Sequence, residues 1–201
     1  MATSISGTSG VTFPAGGVGN PAGAVVGTTD TQTLTNKTIQ GGAITSGTAV
    51  ASTSGTSIDF TGIPSYVKRI TVMFSGVSTN GTSNLQVQIG AGSVETSGYA
   101  GAAFIFITSP AVGATSLSAG FLTESPTGSI TAAAVRYGQM VLINISGNVW
   151  SCVGNFANSS NSVYSAVSGS KTTSGTLDRV RITTVNGTDT FDLGSINLLF
   201  E

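Results

Sequence analysis

Residues 28–39 read Thr28-Thr29-Asp30-Thr31-Gln32-Thr33-Leu34-Thr35-Asn36-Lys37-Thr38-Ile39. Six of these twelve residues are threonine, and Leu34 and Ile39 are the only sizeable apolar side chains. A strand of this composition has nothing of its own to pack against, and a lone strand is not stable in water. Residues 6–27, which precede it, are mostly small or polar and cannot supply a core. We therefore expect three copies of the chain to bury Leu34 and Ile39 on a shared axis, as a short trimeric shaft.

Both ends of the region after residue 28 resemble one class of proteins. The run Asp30-Thr31-Gln32-Thr33-Leu34-Thr35-Asn36-Lys37-Thr38-Ile39 resembles a segment common in tail-fibre and appendage proteins of tailed bacteriophages. Residues 177–197 look like the end of a C-terminal domain found on such fibres, and so does Gly62-Ile63-Pro64 with Val67-Lys68-Arg69-Ile70. The resemblance implies a homotrimeric virion protein.

Composition excludes several classes of function. Charged residues make up 7% of the 201 residues and the net charge is −1, against about 25% charged residues in ordinary domains. The only basic clusters are Lys68-Arg69 and Arg179 with Arg181, whereas nucleic-acid binding requires a concentrated basic patch. The strongest apolar run, 102–107, is far shorter than the roughly 20 residues of a membrane-spanning helix.

The N-terminus lacks the basic residue and apolar core of a signal peptide. We therefore expect synthesis in a host cytoplasm and release with a virion at lysis. Cys152 is the single cysteine, which rules out an intrachain disulfide. Low charge leaves little self-repulsion between copies and fits a chain that is largely covered by its neighbours.

The chain is predicted to have three parts. Residues 1–27 are rich in Gly and Pro and form an extended tail that is either disordered or ordered against a virion surface such as a portal, tail or capsid. Residues 28–56 form the trimeric β-shaft and a small-residue connector. Residues 57–201 form an all-β domain, because turn residues recur every eight to twelve positions and no helical period is present. We expect about nine strands in a jelly-roll-like β-sandwich, a choice helped by the resemblance.

Alternation predicts which side chains face the core of this domain. Predicted core faces are Tyr66, Ile70, Val72 and Phe74 on one strand, and Leu85, Val87 and Ile89 on the next, with Gln86 and Gln88 opposite. Residues 104–107 are apolar on both faces, which predicts burial inside the sandwich or at a subunit contact. Residues 112–126 are predicted to be a loop, Asn186-Gly187 a hairpin turn, and Gly194 a bulge after which Ile196, Leu198 and Phe200 replace Phe191 and Leu193 on the inner face.

Catalytic chemistry is sparse in this sequence. It has no histidine, which removes the usual base of a catalytic triad and the commonest metal ligand. Cys152 alternates with Trp150 and is interpreted as a core thiol, and Gly17 and Gly19 do not begin a phosphate-binding helix. The carboxylates Asp189, Asp192, Glu95 and Glu124 are the candidates for polysaccharide cleavage, but turn and edge positions explain them better. Two acids, Asp189 and Asp192, make a weak calcium site. We predict no enzyme activity, no metal and no cofactor.

Binding residues on the domain stay unassigned. Arg179 and Arg181 share one strand face with Asp178 opposite, which predicts a solvated face or intersubunit ion pairs, and alternatively an anion or sugar contact. Trp150, Tyr99, Tyr137 and Tyr164 could stack on sugar rings, although aromatic residues in strands are more often core. The receptor-binding residues are therefore unknown, and Asn-X-Ser/Thr motifs are attributed to chance.

Three functional hypotheses follow. The first is a non-enzymatic homotrimeric short tail fibre that anchors to the virion through residues 1–27 and presents its domain to a bacterial surface glycan or protein. The second is a head fibre or capsid decoration protein with a mechanical role, which copy number per virion would separate from a fibre. The third, an enzyme acting on surface polysaccharide, ranks last. None of them involves nucleic acid or membrane insertion.

Overall fold

The computed structural model describes residues 44–106, 112–126, 131–132, 134–159 and 163–201. All of them belong to one unit of the chain, Gly42–Glu201. These residues form an all-β structure with two antiparallel sheets and no helix, which confirms the predicted class. Among the described residues no helical stretch could cross a lipid bilayer. The predicted anchor 1–27 and the shaft residues Leu34 and Ile39 lie outside the described residues.

Fourteen strands occur in the described part of the chain. In chain order they are β1 Thr45–Ser46, β2 Val50–Ala51, β3 Ser57–Thr61, β4 Arg69–Thr79, β5 Leu85–Ala91, β6 Ser93–Val94, β7 Tyr99–Phe106, β8 Val112–Ser116, β9 Phe121–Leu122, β10 Arg136–Ser146, β11 Val149–Asn158, β12 Val163–Thr172, β13 Arg179–Thr184 and β14 Phe191–Phe200.

The larger sheet has the order β1-β14-β4-β10-β11-β12-β7-β8, and β2 also pairs with β14. Strand β10 lies at its centre, where Met140 is opposite Val72 of β4 and Gly154 of β11. Strands β10 and β11 form a hairpin around Ser146-Gly147. The short strands β1 and β2 extend this sheet into residues 45–51, which the sequence assigns to a connector.

The smaller sheet has the order β3-β13-β5-β6, with β9 also paired to β5. Ile182 of β13 is opposite Ile58 of β3 on one side and Val87 of β5 on the other. One apolar cluster contains side chains of both sheets. Ile70 and Val72 from β4 and Val87 and Ile89 from β5 are fully buried, as their alternation predicts, and burial of each such side chain stabilises the fold by roughly 1.5–3 kcal/mol.

Residues 112–126 are not a loop, contrary to the sequence-based prediction. They contain β8, which pairs with β7, and β9, which pairs with β5. In β8 the small residues conceal the alternation, and in β9 the two buried apolar residues Phe121 and Leu122 form too short a run to predict a strand. The segment covers Gln86 and Gln88, which are buried instead of facing solvent. Gln88 Nε2 donates to the Ala119 carbonyl at 2.9 Å, which satisfies its buried amide.

Asn186-Gly187 forms a turn but not the predicted hairpin. Strand β13, before the turn, belongs to the smaller sheet, and β14, after it, belongs to the larger sheet. Asn186 Oδ1 accepts hydrogen bonds from the backbone N–H groups of Thr188 and Asp189, at 3.0 and 3.2 Å. These bonds turn the chain away from β13, so that it crosses between the sheets.

Two predicted inner faces are also wrong in part. Tyr66 is 65% exposed, because the chain is still in a turn, with Val67 N donating to the Pro64 carbonyl, and β4 begins only at Arg69. Leu193 is 50% exposed although Phe191 is buried, because the register of β14 against β4 shifts twice around Gly194 rather than once. The bulge itself and the burial of Ile196 and Leu198 are confirmed.

The bulge gives a test of the fold with a matched control. Gly194 has φ +93°, and a Cβ on it would lie 2.3 Å from the Gly76 carbonyl oxygen, whereas Gly187 has φ +69° and open space around it. Gly187→Ala puts an alanine into the left-handed backbone conformation without a steric clash. We therefore expect a loss of about 1–2 kcal/mol in the free energy of unfolding. Gly194→Ala should lose clearly more, as measured by urea denaturation. Equal losses would contradict the described bulge.

Candidate functional site: the outer face of the larger sheet

The carboxylate that the sequence offers for catalysis at Glu124 is fully buried in an ion pair. Arg136 Nε lies 2.5 Å from Glu124 Oε1, and both side chains are almost inaccessible to solvent. Asn158 Nδ2 donates to the second carboxylate oxygen at 2.9 Å. Glu124 therefore neutralises a buried guanidinium beneath β9, and no face of the carboxylate is presented to a substrate.

Glu95 is held in a second ion pair. Lys171 Nζ lies 2.5 Å from Glu95 Oε2, and the Ser174 backbone N–H and hydroxyl both donate to Oε1. Burial alone would raise the pKa of Glu95, but the bonds from Lys171 and Ser174 outweigh it and hold the pKa below its ordinary value. The carboxylate stays ionised and joins β12 to the segment after β6.

Asp189 and Asp192 stabilise the turns at the start of β14. Asp189 accepts hydrogen bonds from the Ser83 backbone N–H at 3.0 Å and from Asn186 Nδ2 at 2.6 Å. Asp192 accepts a hydrogen bond from the Ser78 hydroxyl. No group of three or more His, Cys, Asp or Glu side chains placed to hold a metal ion occurs among the described residues. Each of the four candidate carboxylates thus has its own set of structural partners.

The outer face of the smaller sheet carries paired charges. Arg181 forms a two-pronged contact with Asp59, at 2.6 and 2.9 Å, across β13 and β3. Arg179 binds Asp178 in the same manner, at 2.7 and 3.1 Å. The sequence predicts Asp178 on the opposite face. Asp178 instead lies just before β13, and its carboxylate contacts the guanidinium of the next residue, Arg179. The bond to Asp59 raises the pKa of Arg181 above its ordinary value.

The aromatic candidates divide into buried and exposed groups. Trp150 and Cys152 are buried, as the core interpretation predicts, and burial raises the pKa of the Cys152 thiol. Tyr99 is also buried, and its hydroxyl bonds the Ile89 backbone and the Glu95 carbonyl. Tyr137 and Tyr164, by contrast, are 51% and 49% exposed. Both of these tyrosines lie on the outer face of the larger sheet.

Cross-strand register assembles that outer face from four strands. Directly opposed residues of antiparallel strands project on the same side of a sheet. The register of β10, β11, β12 and β7 therefore gives three rows across the sheet. The rows are Tyr137, Ala157, Tyr164 and Phe106; Gln139, Asn155, Ala166 and Phe104; and Val141, Val153, Ser168 and Ala102. We call these twelve residues the outer face.

The outer face contains no charged side chain. The same rows continue without charge into β4 and β14 on one side and β8 on the other. The residues added are Thr71, Met73, Asn197, Leu199, Ala114 and Ser116. Charges reappear at the two ends of the sheet. Asp192 lies near the start of β14, and at the other end Arg69 pairs with Glu201 at 3.0 Å and Lys68 Nζ reaches Asn144 Oδ1 at 3.4 Å.

The apolar side chains of the outer face are substantially exposed. Phe104 and Phe106 are 40% and 44% exposed and Val153 is 49% exposed. This corrects the prediction of burial inside the sandwich for both phenylalanines, because only their neighbours Ala103 and Ile105 face the core. The rings of Phe106 and Tyr164 lie 6.0 Å apart, and the Tyr164 hydroxyl donates to Asn155 Oδ1 at 2.8 Å.

The area of this surface is close to that of a protein contact. Strands lie about 4.8 Å apart and same-face residues about 6.8 Å apart, so each position covers roughly 33 Å² of sheet. The outer face together with the residues added from β4, β14 and β8 therefore covers on the order of 600 Å². Stable interfaces bury about 800 Å² per partner, so this surface is large enough to supply much of one side of an interface. The twelve described residues of the outer face include no histidine, cysteine, carboxylate or amine, and their side chains are aromatic, aliphatic or uncharged polar groups.

In the sequence Tyr137 and Tyr164 are two of four aromatic residues that are left unassigned, and the surface that they share is not apparent. The alternation Ala102, Phe104, Phe106 was visible as part of an apolar run. The missing information was the register that places these residues beside Tyr164 and Val153. Nothing in a single sequence fixes that pairing.

Comparison of this chain with models of protein families, with curated proteins and with solved structures gave no match. These comparisons lend no support to the tail-fibre resemblance, which stays a prediction.

Loss of the buried Glu124–Arg136 pair should destabilise the fold strongly, and the exposed Asp59–Arg181 pair provides the control. Glu124→Gln leaves the Arg136 charge buried without a counter-charge, so we expect the free energy of unfolding to fall by about 3–5 kcal/mol. Asp59→Asn breaks the exposed Arg181 pair and should cost at most about 1 kcal/mol. Chemical denaturation of both variants checks the difference. Similar losses for the two would contradict the burial described for Glu124.

The lowered pKa of Glu95 predicts that the fold loses stability in acid. A folded-state pKa below the unfolded value of about 4.3 stabilises the protein above that pH. This stabilisation is lost as the pH falls through the folded-state pKa. Glu95→Gln removes the titrating group, so the free energy of unfolding of the variant should depend less on pH between neutrality and strongly acidic conditions. Denaturation curves at several pH values test this, and unchanged pH dependence in the variant would refute it.

Proposed function

We propose that this chain is a non-enzymatic structural subunit of a tailed-bacteriophage virion, a homotrimeric short tail fibre. In this proposal residues 1–27 attach it to tail, portal or capsid proteins, and the shaft part of residues 28–56, around Leu34 and Ile39, intertwines in the trimer, while residues 45–51 of the connector pair with β14. The domain from residue 57 is presented to a glycan or protein on the bacterial surface. The phage identity rests on the resemblance of residues 30–39 and 177–197. The single structural observation that supports association is the charge-free outer face.

The proposal includes a β-sandwich for the domain. Two antiparallel sheets that contribute to one apolar cluster are the arrangement from which sandwiches are built. The finer assignment to a jelly-roll topology is part of the same proposal. A sandwich leaves each sheet one outer face, and the two outer faces here differ in chemistry. That of the smaller sheet carries bonded charges such as Arg181 with Asp59, whereas the twelve residues of the outer face of the larger sheet carry none.

Identical copies are suitable partners for the outer face of the larger sheet. Contact between two charged surfaces removes water from the charges, at a cost that the attraction does not always offset. An uncharged face avoids this cost against another copy of itself, and the net charge of −1 gives little long-range repulsion between chains. Asn155, Gln139 and Tyr164 supply hydrogen-bonding groups among the apolar residues, which matches the mixed composition of protein interfaces.

The same surface would serve a capsid decoration protein, whose role is mechanical. We favour the fibre because the predicted shaft supplies a second contact between chains. Labelling of the protein in images of the particle separates the two by position and copy number. The proposed location in either case is the virion.

The oligomeric state of the full chain is the first test. A trimer has three times the chain mass of 19.9 kDa, which light scattering or native mass spectrometry resolves. Tyr164→Lys would bury a charge without a partner at the proposed contact, so we expect association to weaken at least about tenfold. Tyr66→Lys, at an exposed tyrosine away from the sheets, is the matched control and should associate normally.

Two outcomes would contradict the proposal. A monomeric full chain at micromolar concentration would defeat the homotrimer. Equal association of the Tyr164→Lys and Tyr66→Lys variants would show that the outer face does not take part. Leu34→Ser with Ile39→Ser then tests the shaft separately, since loss of the trimer in that variant assigns association to residues 28–39.

A further inference from the structure

A cleft of about 350 Å³ lies where β5, the segment around β8 and β9, and the turn after β13 meet. Its volume is within the range of about 300–1,000 Å³ that is usual for small-molecule sites. Six of the eleven residues that line it carry a hydroxyl or amide group in the side chain. They are Ser83, Asn84, Gln86, Thr115, Ser116 and Ser118.

None of the described residues that line the cleft has an ionisable side chain. Two acidic residues are bonded to the lining, Asp189 through its carboxylate to Ser83 and Glu124 through its backbone carbonyl to Asn84, and both carboxylates already have partners. Asp189 accepts from the Ser83 backbone N–H and from Asn186, and Glu124 pairs with Arg136. A charged ligand would leave water for a site with no counter-charge, which is unfavourable. The lining therefore favours a neutral ligand.

The two amides in the lining are held in place. Asn84 Nδ2 donates to the Glu124 carbonyl at 3.1 Å and Gln86 Nε2 donates to the Thr184 carbonyl at 3.4 Å. Both side chains are buried, with 5% and 4% of their surface exposed. With the donor end of each amide fixed, the carbonyl oxygens are the groups left to accept hydrogen bonds from a ligand. Fixed orientation lowers the entropy cost of binding.

Gly120 leaves room for the side-chain amide of Gln86 because it has no side chain. A Cβ placed on Gly120 would lie 2.7 Å from Gln86 Oε1. That oxygen therefore faces the stretch of cleft wall that has no side chain. The apolar part of the lining comes from Ala119, Leu122, Pro126 and Val185. Fixed acceptors, hydroxyl groups that both donate and accept, and an apolar wall thus line the same cleft.

We propose that this cleft binds a neutral saccharide. A pyranose ring presents hydroxyl groups around its edge and C–H groups on its faces, which match the polar and apolar parts of the lining. Serine and threonine hydroxyls and amide oxygens are the side-chain groups that bond sugar hydroxyls without requiring charge. The proposal deepens the host-attachment role and rests on it for the source of the sugar, a glycan on the bacterial surface.

The test is a binding measurement on the full chain with sugars that differ only in charge. Methyl glucoside, methyl galactoside and methyl N-acetylglucosaminide are the neutral probes, and methyl glucuronide is the charged counterpart of the first. Saturation-transfer NMR and calorimetry at millimolar sugar should detect binding of at least one neutral probe. They should detect none of the glucuronide.

Substitutions of residues that line the cleft test whether the sugar binds there. Ser118→Trp adds a large side chain at an exposed position of the lining, and Gln86→Met removes the acceptor at similar volume. Both should abolish detectable sugar binding. Ser54→Trp, at an exposed serine in the turn between β2 and β3, is the matched control and should bind as the unmodified chain does. An unchanged melting temperature for Ser118→Trp establishes that it folds, and Gln86→Met supplies the answer if it does not.

Three results would overturn the saccharide site: no binding of any neutral probe, equal binding by folded Ser118→Trp and Ser54→Trp variants, or preference for the glucuronide. The mass of the unmodified chain, measured on the same sample, separates this proposal from the fibre. A trimer that binds no sugar removes the cleft proposal alone. A monomer that binds sugar removes the fibre alone.

Discussion

Side-chain alternation along the central strands of the larger sheet is the constraint on which the other features depend. In β10, Met140 and Leu142 face the core, so Gln139 and Val141 must face outward. The same rule applied through β11, β12 and β7 gives a core of large apolar residues and an outer surface of small, aromatic and uncharged polar residues. Because register fixes both faces together, a shift of one residue would exchange the core with the surface.

Charge is distributed unevenly around this framework. Five ion pairs occur among the described residues, and none of them lies on the outer face of the larger sheet. One is buried beneath β9, where Glu124 and Arg136 join the chain segments that flank residues 125–135. Two more line the outer face of the smaller sheet. A chain with 7% charged residues thus uses many of them in structural pairs, and the twelve residues of the outer face are left without charge.

The sequence predicts part of this structure for clear physical reasons. Strong period-two patterns, as at Ile70, Val72 and Phe74, identify core strands because burial dominates their choice of residue. The segment 112–126 is different, since Ala, Gly, Ser and Thr pair through the backbone and leave no hydrophobic period. Asn186-Gly187 shows another limit: a turn motif states that the chain turns, but not which sheet the next strand joins.

The candidate sites show the same limit. The candidate carboxylates can be identified in the sequence. Their hydrogen-bond and ion-pair partners in the fold cannot be read from sequence spacing. The outer face and the neutral cleft depend on contacts between residues far apart in the chain. Thr115 and Gln86, for example, line one cleft from strands of different sheets. Neither surface has a local motif, so only the folded chain brings its residues together.

The central claim is that identical chains cover the outer face of the larger sheet. Covalent footprinting of the full chain at micromolar concentration tests it most directly, because Tyr164 and Tyr66 are 49% and 65% exposed in one chain. If copies associate through the outer face, Tyr164 and Phe106 will be modified several times more slowly than Tyr66. Modification of Tyr164 in proportion to its exposure in the single chain would contradict the account.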